Sequence, residues 1–128
     1  MVKPHKKLDV WKLSTDLVVE IYNITKQLPK DENYNLVSQM KRAAISIPSN
    51  IAEGAARNTK KEFINFLHIA QGSLSELDTH LEIAERLQFI KKDGMSNINS
   101  LMVRVDKMLT GLIKSQKSPN ALRLTTNG

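Results

Sequence analysis

Cysteine is absent from the 128 residues. That excludes disulfides, thiolate nucleophiles and cysteine-based zinc sites, and it fits a reducing cytoplasm. Aromatic residues make up only 5% of the chain, which disfavours a sheet core built from aromatic and β-branched residues. No apolar run approaches the roughly 20 residues needed to span a bilayer. Lys3, Lys6 and Lys7 near the start are followed by Asp9 and Lys12 instead of an apolar stretch, so no signal-peptide core is present. A cytoplasmic protein with no membrane contact is expected.

The catalytic signatures are missing as well. The three histidines are His5, His68 and His80, and no two stand at the i, i+4 spacing of a helical zinc pair. Glu76 and His80 lie four apart and are not repeated, whereas a di-iron bundle needs Glu-x-x-His on two helices. His80 is expected at a rim or interface beside Glu76. There is no nucleophile elbow and no glycine-rich phosphate loop. The expectation is therefore a protein that is not an enzyme and has no cofactor and no metal.

What the chain does have is aliphatic periodicity. Hydrophobic residues form 41% of a length suited to one domain. Val10, Leu13, Leu17, Ile21, Ile24 and Leu28 recur at steps of three and four, which puts one apolar stripe on a helix. Asp9 is a candidate N-cap, and Pro29 ends the segment. Lys30 to Asn35 reads as a polar loop. A second stripe runs through Leu36, Met40, Ala43 or Ala44, Ile47 and Ile51, with Pro48 inside it. Proline there removes one backbone bond and either kinks the helix or breaks it; the preserved apolar phase favours a kink.

Gly54 and Arg57-Asn58 read as the turn that follows. Thr59-Lys60-Lys61-Glu62 has the form of a capping box, in which Thr59 and Glu62 cover each other's backbone amides. From Phe63 a near-heptad seam continues through Leu67, Ala70, Leu74, Leu77, Leu81 and Ala84, predicting a helix of roughly 30 residues. Asp93-Gly94 separates it from a last stripe at Ile98, Leu101 or Met102, Val105, Met108 or Leu109, and Leu112. Short connections between four amphipathic helices predict an all-α, antiparallel up-down-up-down four-helix bundle over residues 1–117. Residues 118–128 are expected to form a disordered tail.

The run Ser46-Ile47-Pro48-Ser49-Asn50-Ile51-Ala52-Glu53-Gly54 resembles the family of four-helix proteins encoded within intervening sequences of bacterial 23S rRNA genes. The likeness extends to Val10-Trp11, Arg42-Ala43-Ala44, Lys60-Lys61-Glu62-Phe63 and Gly72-Ser73-Leu74-Ser75-Glu76-Leu77, covering most of residues 8 to 90. The resemblance implies a homopentameric ring and association with nucleic acid or a ribonucleoprotein, without catalysis. Related pentameric bundles act as accessory partners of reverse transcriptases.

The formal net charge of +6 favours polyanions. Lys41, Arg42, Arg57, Lys60 and Lys61 form the candidate nucleic-acid surface, expected at one basic end of the helix pair. An ordinary solvated face is the alternative reading. Arg104, Lys107, Lys114 and Lys117 make a second basic stripe, to which the same alternative applies. No aromatic residue is interleaved with either group, so backbone or shape recognition of RNA or DNA is expected over base stacking.

A second seam of Phe66, Ile69, Ser73, Glu76, His80, Ile83 and Leu87, with Trp11, Val18 and Tyr22 on the first helix, serves either two neighbours within one bundle or an oligomer interface. Self-association, RNA or DNA, and a nucleic-acid-processing protein such as a polymerase are the expected partners. In the last case the chain would be a protein-interaction scaffold.

Overall fold

The structure, a computed structural model, describes residues 3–118, apart from the side chain of Lys7. Four α-helices make up the architecture and no strand occurs among the described residues: α1 (Asp9–Ile24), α2 (Leu36–Ala55), α3 (Lys60–Arg86) and α4 (Ser96–Lys117). The expected tail from residue 119 onward lies outside the described residues. A 3-10 turn, Pro4–Lys7, precedes α1 and packs on both α1 and α2. α1 packs on α2 and α4, and α3 packs on the same two helices, so the apolar stripes close around one core. Leu17, Ile21, Met40, Ile47, Ile51, Leu67, Leu77, Val105 and Leu109 are fully enclosed there. No helix among the described residues is long and apolar enough to cross a membrane.

Local chemistry sets the helix ends, and several depart from expectation. Asp9 is the first residue of α1 and makes no capping bond; Leu8 holds the cap position in extended conformation. The carboxylate of Asp9 still faces the positive end of the helix dipole. α1 closes at Ile24 and tightens into a 3-10 turn, Thr25–Gln27, before Pro29. α2 runs unbroken through Pro48, whose ring is buried, so the break is ruled out. Gly54 is a buried residue of α2 and not part of the turn, which falls at Ala56–Thr59.

α3 is 27 residues long, about 40 Å at 1.5 Å per residue. It starts where Thr59 Oγ1 accepts a bond from the Glu62 amide at 3.1 Å and donates to the Glu62 carboxylate at 3.0 Å. α3 stops four residues short of Ile90 without a glycine. Gln88 takes φ 64°, and Phe89 N–H reaches back to the Ala84 carbonyl at 2.9 Å, an arrangement that satisfies the last free carbonyls.

The α2–α3 contact is the tightest seam. A Cβ on Gly54 would stand 2.8 Å from Phe66 Cβ and 2.9 Å from Phe63 Cδ1. Hydrogen there lets the two backbones approach. Further along, Ser46 and Ser73 share a 2.8 Å hydroxyl–hydroxyl bond, and Asn50 Nδ2 donates to Ser46 Oγ at 2.9 Å. These bonds satisfy polar groups that the packing would otherwise strand.

Candidate nucleic-acid interface

The five expected basic residues do not form one site. Lys41 and Arg42 lie in the second turn of α2, whereas Arg57, Lys60 and Lys61 flank its far end. Because α2 is continuous, the 14 positions from Lys41 to Ala55 hold the groups about 20 Å apart. A continuous helix, where a break was the alternative, is the physical reason the single basic end divides in two. Lys41 is also occupied: its Nζ stands 4.5 Å over the Tyr22 ring, a cation–π contact between α2 and α1.

At the α2–α3 turn the cations are open to solvent. Arg57 and Lys61 are exposed and Lys60 half-buried. Arg57 lies 4.9 Å over the Phe66 ring, and its guanidinium is 3.8 Å from the Glu53 carboxylate. That ion pair is exposed on both sides and contributes little, leaving the guanidinium available to another anion. Lys60 and Lys61 are the first two residues of α3, where the helix dipole is already positive. Cations at that position cost a few tenths of a kcal/mol in helix stability and concentrate positive potential with the free N–H groups of the first turn. Glu62 is the acid in that turn.

The second seam is mostly engaged within the chain. Ser73 is bonded to Ser46, Phe66 lies against Gly54 and under Arg57, and Trp11 meets the His5 ring edge-on at 4.9 Å. His80 is only 6% exposed, with Nε2 3.9 Å from the Glu76 carboxylate, so it is buried inside this chain and does not sit at an open rim. Val18 is half-buried. The apolar surface left open is Tyr22 at 38% on α1 and Ile69 at 43% and Ile83 at 41% on α3. Leu87, the last member of the same seam, is exposed as well. Sequence reasoning missed Ile45 and Val103, which are exposed too; their helical phase beside the core stripe was the available signal.

Two open depressions of about 290 and 250 Å³ lie along the α3–α4 groove, small for ligand pockets and lined by Asp78, Glu82, Glu85 and Asp106 among others. Among the described residues, no group of three His, Cys, Asp or Glu could hold a metal ion.

The pattern that carries the family likeness is therefore a packing pattern. Ser46, Asn50 and Gly54 seat α2 on α3, Ile47, Pro48 and Ile51 fill the core, and Ser73 answers from α3. Residues 6–111 match the 23S rRNA-intervening sequence protein family as a whole. The chain belongs to that family. No curated protein matches the chain. A solved protein of unknown function from the S23 ribosomal protein family of Bacteroides thetaiotaomicron is 29% identical, with a TM-score of 0.75 over 82% of this chain and 95% of its own. Family membership thus fixes the helical scaffold, and the basic turn lies next to the shared α2–α3 seam.

Proposed function

We propose that this protein is a non-enzymatic, cytoplasmic, homopentameric four-helix bundle that binds nucleic acid or joins a ribonucleoprotein through the basic α2–α3 turn. The observation that carries the reading is Lys60 and Lys61 at the start of α3, with Arg57 beside them. The helix dipole favours acids there, and an anion bound at this turn would offset the cost of the cations. The 23S rRNA context of the family agrees with RNA as that anion.

In this reading the helices run up-down-up-down. Tyr22 meeting Lys41, Ser46 meeting Ser73, and Gln71 bonding Thr110 support antiparallel neighbours, with Pro48 bending α2. A ring of subunits would repeat the basic turn around one face and multiply its attraction for phosphates.

The test is fluorescence anisotropy with a structured RNA and a duplex DNA across a salt series. Tight binding with a steep salt slope, lost in Lys60→Glu/Lys61→Glu, is the expected result. Absence of binding at low salt refutes the reading. Sedimentation equilibrium gives the subunit number, and any mass other than five subunits removes the pentamer.

Open Ile69 and Ile83 favour a second reading, a scaffold that docks another protein such as a polymerase. It predicts a co-purifying protein that survives nuclease treatment and is lost in Ile69→Glu.

A further inference from the structure

The α4 lysines that read as a separate stripe do not all stay separate in three dimensions. Along the α3–α4 groove one depression is lined by Asp78, Glu82 and Asn99, the next by Leu74, Asp78, Met102 and Asp106, and beyond them Gln71 bonds Thr110. Every step toward the start of α3 is a step toward the end of α4. Continued by two turns, that register brings the exposed Lys114 and Lys117 beside the first turns of α3, where Lys60 and Lys61 stand. Lys3 and Lys6, also exposed, flank or lie in the 3-10 turn that packs on α1 and α2, anchored by the His5–Trp11 contact. Three chain segments far apart in sequence thus deliver cations to one end of the molecule. Asp9, Glu53 and Glu62 are the acids near them, three against seven cations.

We propose that this whole end, comprising Lys3, Lys6, Arg57, Lys60, Lys61, Lys114 and Lys117, is one interface for the phosphate backbone of a duplex nucleic acid. The inference rests on the nucleic-acid reading above and extends its site to α4 and the amino-terminal turn. Lys114 and Lys117 also answer the partial negative charge at the end of α4, but that role does not require cations on the other two segments.

Two further observations select a duplex. The aromatic rings at this end are engaged, Phe66 under Arg57 and Trp11 against His5, while the most open ring, Tyr34 at 94%, precedes α2 at the Lys41 end. A single-strand platform needs free rings among the cations. Four helices of about 10 Å diameter present an end roughly 20 Å across, alongside a length of duplex that carries about a dozen phosphates on its two strands, of which those on the near side face the cations. The α3–α4 flank, lined by Asp78, Glu82, Glu85 and Asp106 beside Lys92, is net acidic and disfavours the same ligand from the side.

The experiment compares Lys114→Gln/Lys117→Gln with Lys41→Gln/Arg42→Gln, which removes the same charge at the other end, and with Lys60→Gln/Lys61→Gln. Anisotropy is read with a fluorescent 20-mer duplex and its single strand over a salt series. If each α4 lysine meets one phosphate, their loss flattens the log–log salt slope by about 2 and weakens binding about 60-fold at 0.1 M salt. The Lys41/Arg42 variant keeps the wild-type slope. Equal effects of the two charge-matched pairs, or an α4 variant indistinguishable from wild type while the Lys60/Lys61 variant loses binding, overturns this inference and leaves the parent reading standing. Single strand bound as tightly as duplex overturns the choice of ligand. A wild-type protein that binds neither at low salt overturns both readings together.

Discussion

Replacing Gly54 by alanine isolates the close approach of α2 and α3. Alanine is the better helix former by about 1 kcal/mol, so in an uncrowded helix the change stabilises. Here the new methyl meets Phe66 Cβ at 2.8 Å, Phe63 Cδ1 at 2.9 Å and the Phe63 carbonyl oxygen at 3.3 Å. The Phe63 ring can rotate aside. Phe66 Cβ and the Phe63 carbonyl cannot, because both are fixed to the α3 backbone, and the helices must separate next to the basic turn. Overpacking of this kind costs about 1–3 kcal/mol, and with two of three contacts immovable the upper part of that range applies. The net effect is a loss of about 1–2 kcal/mol.

With 128 residues the entropy of unfolding at the midpoint is about 0.27 kcal/mol/K, so Gly54→Ala lowers Tm by roughly 4–7 °C. Gly111→Ala is the control. It sits inside α4 with nothing within 4 Å of the added carbon, and it should raise Tm by about 4 °C from propensity alone. Differential scanning calorimetry at one fixed protein concentration measures both, since association makes Tm depend on concentration. A Gly54→Ala protein that melts at or above wild type, or one that moves in step with Gly111→Ala, refutes the account of the seam.

Three other outcomes follow from the same geometry. Gln88→Gly relieves a left-handed residue at φ 64° and should add about 1 kcal/mol, seen as a higher urea midpoint at unchanged m-value; a lower midpoint counts against it. Thr59→Ala deletes the oxygen that caps α3 and should cost about 1 kcal/mol, with Thr59→Ser restoring most of it. Ser46→Ala and Ser73→Ala share one hydroxyl pair, so a double-mutant cycle should return a coupling of about 0.5–1 kcal/mol, and simple additivity would show the bond to be energetically idle.

Most of the helical framework was legible in the chain because burial follows the 3.6-residue period directly. Val10, Leu17, Ile21 and Ile24, like Leu67, Ala70, Leu74 and Leu77, are buried where their spacing puts them. The start of α3 was legible too, since Thr59 and Glu62 act within one turn of each other. The end of α3 was not, because the left-handed turn is made by Gln88 and not by the glycine that signals such turns. Gly54 was misread for the converse reason: a glycine near a loop marks a turn by habit, and only the partner helix reveals that it admits Phe63 and Phe66.

The candidate site divides in the same way. Sequence alone determined which residues are cationic, that Arg57, Lys60 and Lys61 stand around the start of a capped helix, and that the chain has the family's α2–α3 pattern. Proximity along the chain grouped Lys41 and Arg42 with Arg57, although a continuous α2 holds them about 20 Å apart. Contact across the fold joins Gln71 of α3 to Thr110 of α4 instead, 39 positions apart in sequence. Periodicity fixes the face a residue occupies on its own helix, because that depends only on its neighbours in the chain. Which faces and ends meet depends on how the four apolar stripes are buried together, and that is decided only when the helices pack.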